Sequence, residues 1–352
     1  MMEKRILSGM RPTGRLHLGH YHGVLKNWLE LQGSYECFFF VADWHALTTD
    51  YADTGSIGEN IREMVTDWLS VGIDPARSTI FLQSAVKGHA ELFVLLSMIT
   101  PLPWLERNPT YKEQLQEIRD KDIRTFGFLG YPVLQTSDII IYRADKVPVG
   151  IDQAPHLELS REIARRFNHF YGPVFPEPET LLTRVPKVLG TDGRKMSKSY
   201  NNAIFLSDPP EVVEKKMLQM VTDTARKRRT DPGTPEHCPL FQTFHVLYSD
   251  PATVEWVRKG CTGATIGCIE CKRSVIPRVL EDLEPIRKRR AELEGDPEAA
   301  FRVLEEGLPK ATEEADRTLE AVRAAMRIDY SRKKGAGGGG GAGGAGKKYE
   351  AK

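Results

Sequence analysis

The chain has 352 residues, of which 40% are hydrophobic and 28% are charged, and its formal net charge is +1. These values are typical of a globular enzyme with one large and one smaller domain, and they exclude a uniformly basic surface, so any RNA contact must use local basic patches. The sequence contains no apolar run of 18 residues, no signal-peptide core and five cysteines, which together predict a cytoplasmic protein in a reducing compartment.

The N-terminal segment combines a short strand, a polar turn and a helix. Residues 5–8 are largely apolar and predict a buried strand, and apolar residues recur at helical spacing after position 23. The turn between them aims free backbone N–H groups and the positive end of the helix dipole at the space above a sheet. His17 and His20 stand three residues apart and Gly19 permits close approach, so the turn predicts an anion site that suits a nucleotide phosphate better than a metal.

Strands and helices then alternate along the chain. Residues 36–43 and 79–83 are apolar runs, and residues 57–71 and 90–99 have helical patterns. The alternation predicts a Rossmann-like, doubly wound parallel sheet of the α/β class, with right-handed crossovers and with ligands beyond the carboxyl ends of the strands. Residues 101–125 are punctuated by proline and then polar, which predicts an inserted helical segment.

The next helical pattern, over residues 131–142, is apolar except for Gln135 and Asp138, which share one face. A carboxylate in an apolar helix is costly unless it is paired. Asp138 is therefore either satisfied by a neighbouring helix N-terminus or part of a ligand site. Residues 146–150 predict another strand, followed by a helix up to residue 167 with Asp152 at the carboxyl end of the strand.

A second polar stretch, residues 190–199, contains Lys195-Met196-Ser197-Lys198-Ser199 after a glycine-bounded turn. Alone, this stretch is an ordinary solvated loop. We call the turn that contains His17 and His20 the histidine turn. Together with it, residues 190–199 resemble the paired signatures of class I aminoacyl-tRNA synthetases, in which the first signature holds ATP and the second closes over its phosphates. The resemblance implies a loop that moves when ATP binds.

The rest of the chain is helical. It predicts a C-terminal all-helical domain over residues 201–328, after a catalytic domain over residues 1–200. Two basic clusters, residues 226–229 and 287–290, are either contacts for RNA phosphates or solvated faces. Residues 329–352 are mostly glycine, alanine and lysine and predict a disordered tail.

Four cysteines within this helical region predict a metal site. Cys238, Cys261, Cys268 and Cys271 are separated by 22, 6 and 2 residues. Clustered thiols in a reducing compartment indicate a metal, and both zinc and a four-iron, four-sulfur cluster bind four thiolates. Because only the last pair is closely spaced, the pattern differs from that of common zinc ribbons, which weakens the case for zinc without excluding it, and spacing alone does not decide between the two.

From residue 6 to about residue 326 the chain resembles the bacterial tryptophanyl-tRNA synthetases, and specifically the subset whose anticodon-binding domain carries a [4Fe-4S] cluster on cysteines spaced as these four are. The resemblance implies a homodimeric ligase that uses ATP with Mg²⁺ to convert L-tryptophan into tryptophanyl-adenylate and pyrophosphate. The tryptophan is then transferred to the 3′-terminal ribose of tRNA(Trp). A tyrosyl-tRNA synthetase-like enzyme and a synthetase-derived RNA-binding protein are the alternatives.

The same resemblance implies roles for individual residues. Asp138 would accept the indole N–H, Tyr131 and Gln153 would hold the substrate ammonium, and Asp152 would bind the ribose. The implied substrate pocket consists of Leu7, Gly9, His45, Tyr131, Gln135, Asp138, Val147 and Gln153. The implied catalytic residues are His17, His20, Lys112, Lys195 and Lys198. The implied ATP-binding residues are Arg11, Thr13, Gly19, His20, Gly150, Asp152, Lys195, Met196, Ser197 and Lys198.

Some positions depart from the pattern of many bacterial members. Those members have Thr and Asn at the positions of His17 and His20, and a methionine at Gln135. The Gln135-x-x-Asp138 pair is also what archaeal-type tyrosyl enzymes use to bind the phenol. In those enzymes a tyrosine on the first strand completes the contact. Leu7 stands there in this chain, so the pocket suits an indole with a single N–H donor.

Overall fold

The structure, a computed structural model, describes residues 4–109, 111–112, 122–150, 154–182 and 188–330. Five strands form one parallel sheet in the order β3-β2-β1-β4-β5. In chain order they are β1 (Arg5–Met10), β2 (Glu36–Val41), β3 (Ser78–Leu82), β4 (Lys146–Val149) and β5 (Glu179–Leu182). The strand order reverses between β1 and β4, which is the point where parallel sheets of this class bind ligands.

Helices cover both faces of the sheet. Helix α1 covers residues 18–31 and contains a π-helical turn, Tyr21–Leu25, between the α-helical pieces Leu18–His20 and Lys26–Leu31. The next helices are α2 (Asp43–Asp50), α3 (Ile57–Val71), α4 (Gly88–Ser97), α5 (Leu102–Glu106), α6 (Phe126–Ile141) and α7 (Ala154–Tyr171). Among the described residues, none of the helices combines the length and apolar content needed to cross a lipid bilayer.

The C-terminal region is helical. Its helices are α8 (Pro210–Gln219), α9 (residues 241–248, with a π turn at Phe241–His245), α10 (Pro251–Thr262), α11 (Cys268–Glu294) and α12 (Ala299–Met326). The parallel α/β class with a C-terminal helical region is thus confirmed. The exact domain boundaries stay a prediction, and the predicted tail after residue 330 lies outside the described residues.

Two elements differ from the sequence-based expectation. Helix α6 begins at Phe126, before the predicted start at residue 131, because the side chain of Thr125 caps it by accepting a hydrogen bond from the backbone N of Phe128. Strand β5 was not predicted, since it is only four residues long and begins with the polar pair Glu179-Thr180. Strand β4 is equally short, but its Val-Pro-Val sequence is apolar, whereas β5 begins with two polar residues and so shows no pattern to recognise.

Both faces of the sheet are buried, as expected for parallel strands. Along β2, Phe39 packs into the core on one face, whereas Phe38 and Phe40 pack into the core on the other. Trp28 of α1 stacks on Phe39, with ring centroids 4.2 Å apart. The apolar run of β2 therefore reflects burial on two sides, and it fixes α1 firmly against the sheet.

The last helix covers an edge of the sheet. Helix α12 packs along β3, the edge strand, so closely that a Cβ at Gly307 would lie 2.0 Å from the carbonyl oxygen of Ile80. Only glycine fits this contact. Arg5 of β1 forms an ion pair with Glu314 of the same helix at 3.0 Å. The C-terminal helices are therefore packed directly on the sheet that carries the candidate site.

Candidate active site

A deep cavity of about 380 Å³ lies at the carboxyl ends of β1 and β4. The cavity is lined by Ser8 and Gly9 at the end of β1 and by Val149 and Gly150 at the end of β4. Helix α6 forms another wall. Seven residues of the predicted substrate pocket line this cavity, namely Leu7, Gly9, His45, Tyr131, Gln135, Asp138 and Val147. The remaining one, Gln153, lies outside the described residues, as does Asp152.

Asp138 is 1% exposed and accepts hydrogen bonds from three side chains. His89 Nδ1 lies 2.6 Å from Oδ1, His45 Nε2 lies 2.7 Å from Oδ2, and Gln83 Nε2 donates to both oxygens at 2.8 and 2.9 Å. The partner is thus not a helix N-terminus, which was one of the two sequence-based alternatives. The carboxylate is oriented by its neighbours and still lines the cavity.

The charge of Asp138 follows from these contacts. Burial acts to raise the pKa of Asp138, but the hydrogen bonds from His45 and His89 outweigh it and lower the pKa to about 2. Further along the wall, the hydroxyl of Tyr131 lies 2.8 Å from Nε2 of His156. The base of the cavity is therefore an ionised acceptor surrounded by aromatic and apolar groups, which suits a flat apolar ligand with one N–H donor.

The histidine turn begins α1. His17 is the N-cap residue, and its Nδ1 accepts a hydrogen bond from the backbone N of Gly19 at 3.1 Å. Nδ1 of His20 accepts from the backbone N of His17 at 3.3 Å. Because each Nδ1 is an acceptor, this network assigns the ring proton to Nε2 in both imidazoles. A Cβ at Gly19 would lie 2.8 Å from the His17 ring, so the turn requires glycine there.

The two histidines of the predicted anion site do not supply it with positive charge. Burial, together with Lys198 and Lys195, lowers the pKa of His17 to about 4. Burial and then the neighbouring His17 lower the pKa of His20 well below its usual value. Both rings are neutral at pH 7, so the chemistry that they offer an anion is hydrogen-bond donation from Nε2–H rather than charge.

The lysine loop, residues 190–199, is a short hairpin. Leu189 and Lys195 form an antiparallel bridge around a turn in which Gly193 has a φ of +82°. Asn202, which is buried, holds the hairpin from inside: its Oδ1 accepts from the backbone N of Ser197 at 2.8 Å, and its Nδ2 donates to Asp192 at 2.7 Å. The loop is thus shaped by a residue that follows it in the sequence.

The segment after the loop joins it to the histidine turn. Leu206 donates its backbone N–H to Leu16 at 2.9 Å, and Leu18 donates to Ile204 at 3.0 Å. As a result the two sequence signatures line one outer cavity of about 450 Å³. Its lining includes Thr13, His17, His20, Ser197 and Lys198. Two stretches far apart in the sequence therefore meet at one site.

Lys198 supplies positive charge to this outer cavity, whose lining also includes the carboxylates of Asp50 and Asp53. Nζ of Lys198 donates to the backbone oxygen of Thr13 and lies 3.3 Å from its Oγ1. Burial lowers the pKa of Lys198 to about 8. Lys195 is exposed, and Met196 is buried beneath the loop. Lys112 is exposed and lines neither cavity, so the structure does not bring it to the other predicted residues.

Arg11 lies where the two cavities adjoin. Its side chain lines the deep cavity, while the next two residues, Pro12 and Thr13, line the outer one. One of its nitrogens, Nη2, donates to Thr49, and its buried Nε has no hydrogen-bond partner. A buried donor without a partner is costly unless a ligand satisfies it. Arg11 is therefore suited to contact an anion between the two cavities.

The four predicted metal-binding cysteines lie in one neighbourhood. Burial raises the pKa of Cys271 to about 12, and the thiols of Cys238, Cys261 and Cys268 add to the rise. Nonetheless, within the part of the chain that the structure describes, no group of three or more His, Cys, Asp or Glu side chains is arranged to hold a metal ion. The metal site at these cysteines remains a prediction.

Sequence reasoning missed several residues of the deep cavity and its support. Gln83 and His89 bind Asp138, and His156 binds Tyr131. Gln83 directly follows β3, so its place at the carboxyl end of a parallel strand could have marked it. His89 and His156 lie inside helices, where nothing in the local pattern separates them from ordinary core residues.

Comparison with known proteins agrees with this geometry. The family described as tRNA synthetases class I (W and Y) matches residues 2–281. The chain is 53% identical over 325 residues to the tryptophan–tRNA ligase of Thermotoga maritima, covering 92% of this chain and 99% of that protein. It is 47% identical to that of Aquifex aeolicus, covering 92% and 100%. A tryptophanyl-tRNA synthetase structure from Campylobacter jejuni, complexed with ADP and tryptophan, superposes with a TM-score of 0.81 at 32% identity, covering 92% and 99%.

The chain belongs to the class I tRNA synthetases of the tryptophan and tyrosine family. It is an aminoacyl-tRNA ligase, and its amino acid is tryptophan. The Gln135-x-x-Asp138 pair raised a tyrosine alternative, but the tyrosyl-tRNA synthetase of Archaeoglobus fulgidus is only 24% identical and shares the fold with a TM-score of 0.63. The prediction of a tryptophan–tRNA ligase with ATP and tRNA as partners is thus confirmed.

Proposed function

We propose that the deep cavity binds tryptophan, that the outer cavity binds the triphosphate of ATP, and that the two substrates react beside Arg11. The observation that carries this proposal is the adjacency of the two cavities at residues 11–13. One cavity has a buried carboxylate at its base, and the other has Lys198 and a helix N-terminus, with Lys195 close enough to act on His17. These are the chemistries that an indole N–H and a polyphosphate require.

On the amino-acid side, Asp138 accepts the indole N–H. Its pKa of about 2 keeps it ionised, so it is an acceptor only. Tyr131 lines the same cavity and has a hydroxyl oriented by His156, which supports its role at the substrate ammonium. Leu7, Val147 and the aliphatic part of Gln135 form the walls. We propose that Gln153 also contacts the substrate ammonium, although it lies outside the described residues.

On the ATP side, several groups share the charge of the phosphates. The Nε2–H donors of His17 and His20, the N-terminus of α1 and the ammonium groups of Lys195 and Lys198 face the outer cavity or its rim. Mg²⁺ bound to the phosphates would neutralise more of their charge. We assign the ribose to Gly150 and Asp152, and a further phosphate contact to Lys112 when ATP is bound.

The reaction needs positioning and charge stabilisation more than proton transfer. The tryptophan carboxylate is already ionised at neutral pH, so it attacks the α-phosphorus directly, and pyrophosphate leaves with its charge stabilised by the lysines. Tryptophanyl-adenylate is the product. In the second step, the 2′-hydroxyl of the terminal tRNA ribose attacks the activated carbonyl and AMP leaves.

The test is exchange of labelled pyrophosphate into ATP, measured with each of the twenty amino acids. We expect exchange that depends on tryptophan. Exchange that depends on tyrosine would refute the assignment of the deep cavity. Loss of exchange on removal of Mg²⁺ by a chelator is expected as well, because the phosphates then keep their full charge.

We further infer that Cys238, Cys261, Cys268 and Cys271 hold a [4Fe-4S] cluster, with zinc as the alternative. A zinc ion requires four sulfurs within bonding distance of one centre, whereas a cluster binds each thiolate at a different corner. Polar donors close to the sulfurs support the proposal: His245 Nε2 lies 3.2 Å from Cys271 Sγ, and Arg226 Nη1 lies 3.8 Å from Cys261 Sγ. When bound, the cluster would cross-link α10 and α11 to the segment before α9.

Visible absorption of anaerobically purified protein, with iron and sulfide analysis, tests the cluster. We expect a brown protein that loses its absorption in the Cys271→Ser variant. Cys37→Ala is the matched control, because Cys37 is buried in β2 away from these thiols and should leave the absorption unchanged. A colourless protein with one zinc per chain would favour the alternative.

The proposed assembly is a cytoplasmic homodimer. Helices α4 and α5 both pack against α6, and four large apolar side chains are exposed around them, namely Val94, Met98, Leu102 and Phe126. An apolar surface of this kind suits a second copy of the chain. Sedimentation of the wild-type protein and of Met98→Glu tests this assembly, with a dimer expected for the first and a monomer for the second.

A further inference from the structure

Asp67 of α3 is a fully buried carboxylate that contacts the backbone of the histidine turn. Its Oδ2 accepts a hydrogen bond from the backbone N of Leu16 at 2.6 Å, and Leu16 directly precedes His17. Its Oδ1 accepts a hydrogen bond from Nη1 of Arg290, which belongs to α11. Asp67 therefore joins the turn to a helix from a distant part of the chain.

Arg290 is also buried and is bound by two further carboxylates. Its Nη2 donates to Glu63 at 2.6 Å, and its Nε donates to Glu294 at 2.9 Å. Because a guanidinium presents its donors in a rigid planar arrangement, these contacts fix the direction of the Asp67 carboxylate. An ionised carboxylate in this position also needs a cation, so Arg290 makes the hydrogen bond from Leu16 a charge-assisted one.

The turn is therefore held from two sides. The carbonyl of Leu16 accepts from Leu206, which follows the lysine loop, while its N–H donates to Asp67. The carboxylates of Asp67 and Glu63 also act on Lys198 of the lysine loop. Burial lowers the pKa of Lys198, and the charges of Asp67 and Glu63 oppose that change. Asp67 thus influences both sequence signatures without lining either cavity.

We propose that Asp67 and Arg290 form a positioning pair for ATP: they set the backbone of Leu16, and through it the places of the Nε2–H donors of His17 and His20. The pair does not touch the substrate. Because Arg290 belongs to α11 and Asp67 to α3, the pair links the nucleotide site to the C-terminal helical region. The proposal rests on the assignment of the outer cavity to the triphosphate.

Kinetics of pyrophosphate exchange test the pair through Asp67→Asn and Arg290→Met. Asparagine keeps the size of the side chain and one acceptor oxygen but removes the ion pair, and methionine keeps the length of arginine without its charge. We expect KM for ATP to rise about tenfold in each variant, while the Kd for tryptophan, measured by equilibrium dialysis without ATP, stays within about twofold of wild type.

The double variant Asp67→Leu with Arg290→Met separates positioning from stability. Replacing a buried ion pair by apolar groups of similar volume commonly restores stability. Leucine cannot accept the hydrogen bond from Leu16, however. Compared with Arg290→Met alone, the double variant no longer buries an unpaired Asp67, so we expect its Tm to be higher than that of the single variant while KM for ATP stays high. If KM for ATP recovers together with Tm, the pair is only structural and the proposal is wrong.

Arg323→Met is the matched control. Arg323 of α12 forms an ion pair with Glu91 of α4 at 2.5 Å, which also joins the C-terminal helices to the catalytic part but lies away from the turn. This variant should lower Tm without changing KM for ATP, and an equal rise in KM would overturn the proposal. Absence of tryptophan-dependent exchange in the wild-type protein would instead refute the assigned reaction.

Discussion

The two cavities of the site are built in different ways. In the deep cavity, the polar groups around the carboxylate are bonded before any ligand is present: Asp138 has three partners, and Tyr131 has His156. In the outer cavity, Lys195 is exposed and Arg11 keeps an unpaired buried Nε at the border. The amino-acid site is thus preorganised by the fold, whereas the phosphate site is completed by its ligand.

The largest expected effect concerns the preorganised cavity. Asp138→Asn replaces a carboxylate, which only accepts hydrogen bonds, by an amide whose NH₂ group must donate. That NH₂ group would face the three donor side chains and the indole N–H, which are themselves donors. We expect kcat/KM for tryptophan to fall about 10³-fold in the exchange assay, because a polar contact built into the site is lost. Asp138→Ala is a poorer test, since it leaves His89, Gln83 and His45 unpaired and so also destabilises the fold.

Ser137→Ala is the control for this variant. Ser137 neighbours Asp138 on α6 but bonds to the backbone of His89 and Leu134 and does not line the cavity. Its kinetics should match the wild type. Retained selectivity for tryptophan in Asp138→Asn would remove the carboxylate from the recognition site, and with it the argument that the fold preorganises this cavity.

The second expected effect concerns the cavity that its ligand completes. In Lys195→Ala, we expect kcat of pyrophosphate exchange to fall about 10²-fold, because one group that stabilises the leaving pyrophosphate is removed. The Kd for tryptophan should not change. Lys259→Ala, an exposed lysine on α10, is the control and should behave as wild type. Equal losses in catalysis and in tryptophan binding would show that the two cavities do not act separately.

A smaller effect comes from pH. The pKa of Lys198 is about 8 in the free protein, so its ammonium loses a proton as the pH rises through that value. We expect kcat/KM for ATP to fall about tenfold per pH unit above about pH 8, while the Kd for tryptophan changes little. In Lys198→Arg the guanidinium stays charged, and the fall should disappear. A fall that persists in this variant would assign the titration to another group.

The smallest effect concerns stability in acid. Burial and then Lys26 lower the pKa of His22 in α1 to about 3, so this ring stays neutral in the folded protein while the unfolded chain takes up a proton below about pH 6.5. The contribution of His22 to the free energy of unfolding is therefore complete above pH 6.5 and is lost as the pH falls towards 3, by about 1.4 kcal/mol per pH unit.

Urea unfolding at pH 7 and pH 5 measures this loss. His22→Gln keeps a hydrogen bond to Tyr248 within reach and cannot titrate, so its stability should decline less between the two values. An identical decline would mean that His22 has the same pKa in the folded and the unfolded protein. Asp138 should not contribute in this range, because its lowered pKa confines its loss of stability to between about pH 3.8 and about pH 2.

Sequence reasoning succeeded where the hydrophobic pattern was long or where several functional residues stood close together in the sequence. The five apolar residues of β2 and the fifteen-residue amphipathic helix α3 predicted the layered sheet, and the two signatures predicted a common site. Reasoning failed where a role depends on a distant partner. Asp67 shows no special pattern in α3, and only the fold reveals that it bonds to Leu16 and Arg290. The neutral state of His17 likewise follows from burial, which spacing does not report.

The contact between Gly307 and Ile80 also bears on how the protein is made. Until the ribosome has produced helix α12, the strand Ser78–Leu82 remains the open border of a sheet whose other strands are already present. Its unpaired amide and carbonyl groups then offer a template on which nascent chains can pair with one another. We expect a chain truncated before Gly307 to keep that template and therefore to aggregate more readily than the full chain.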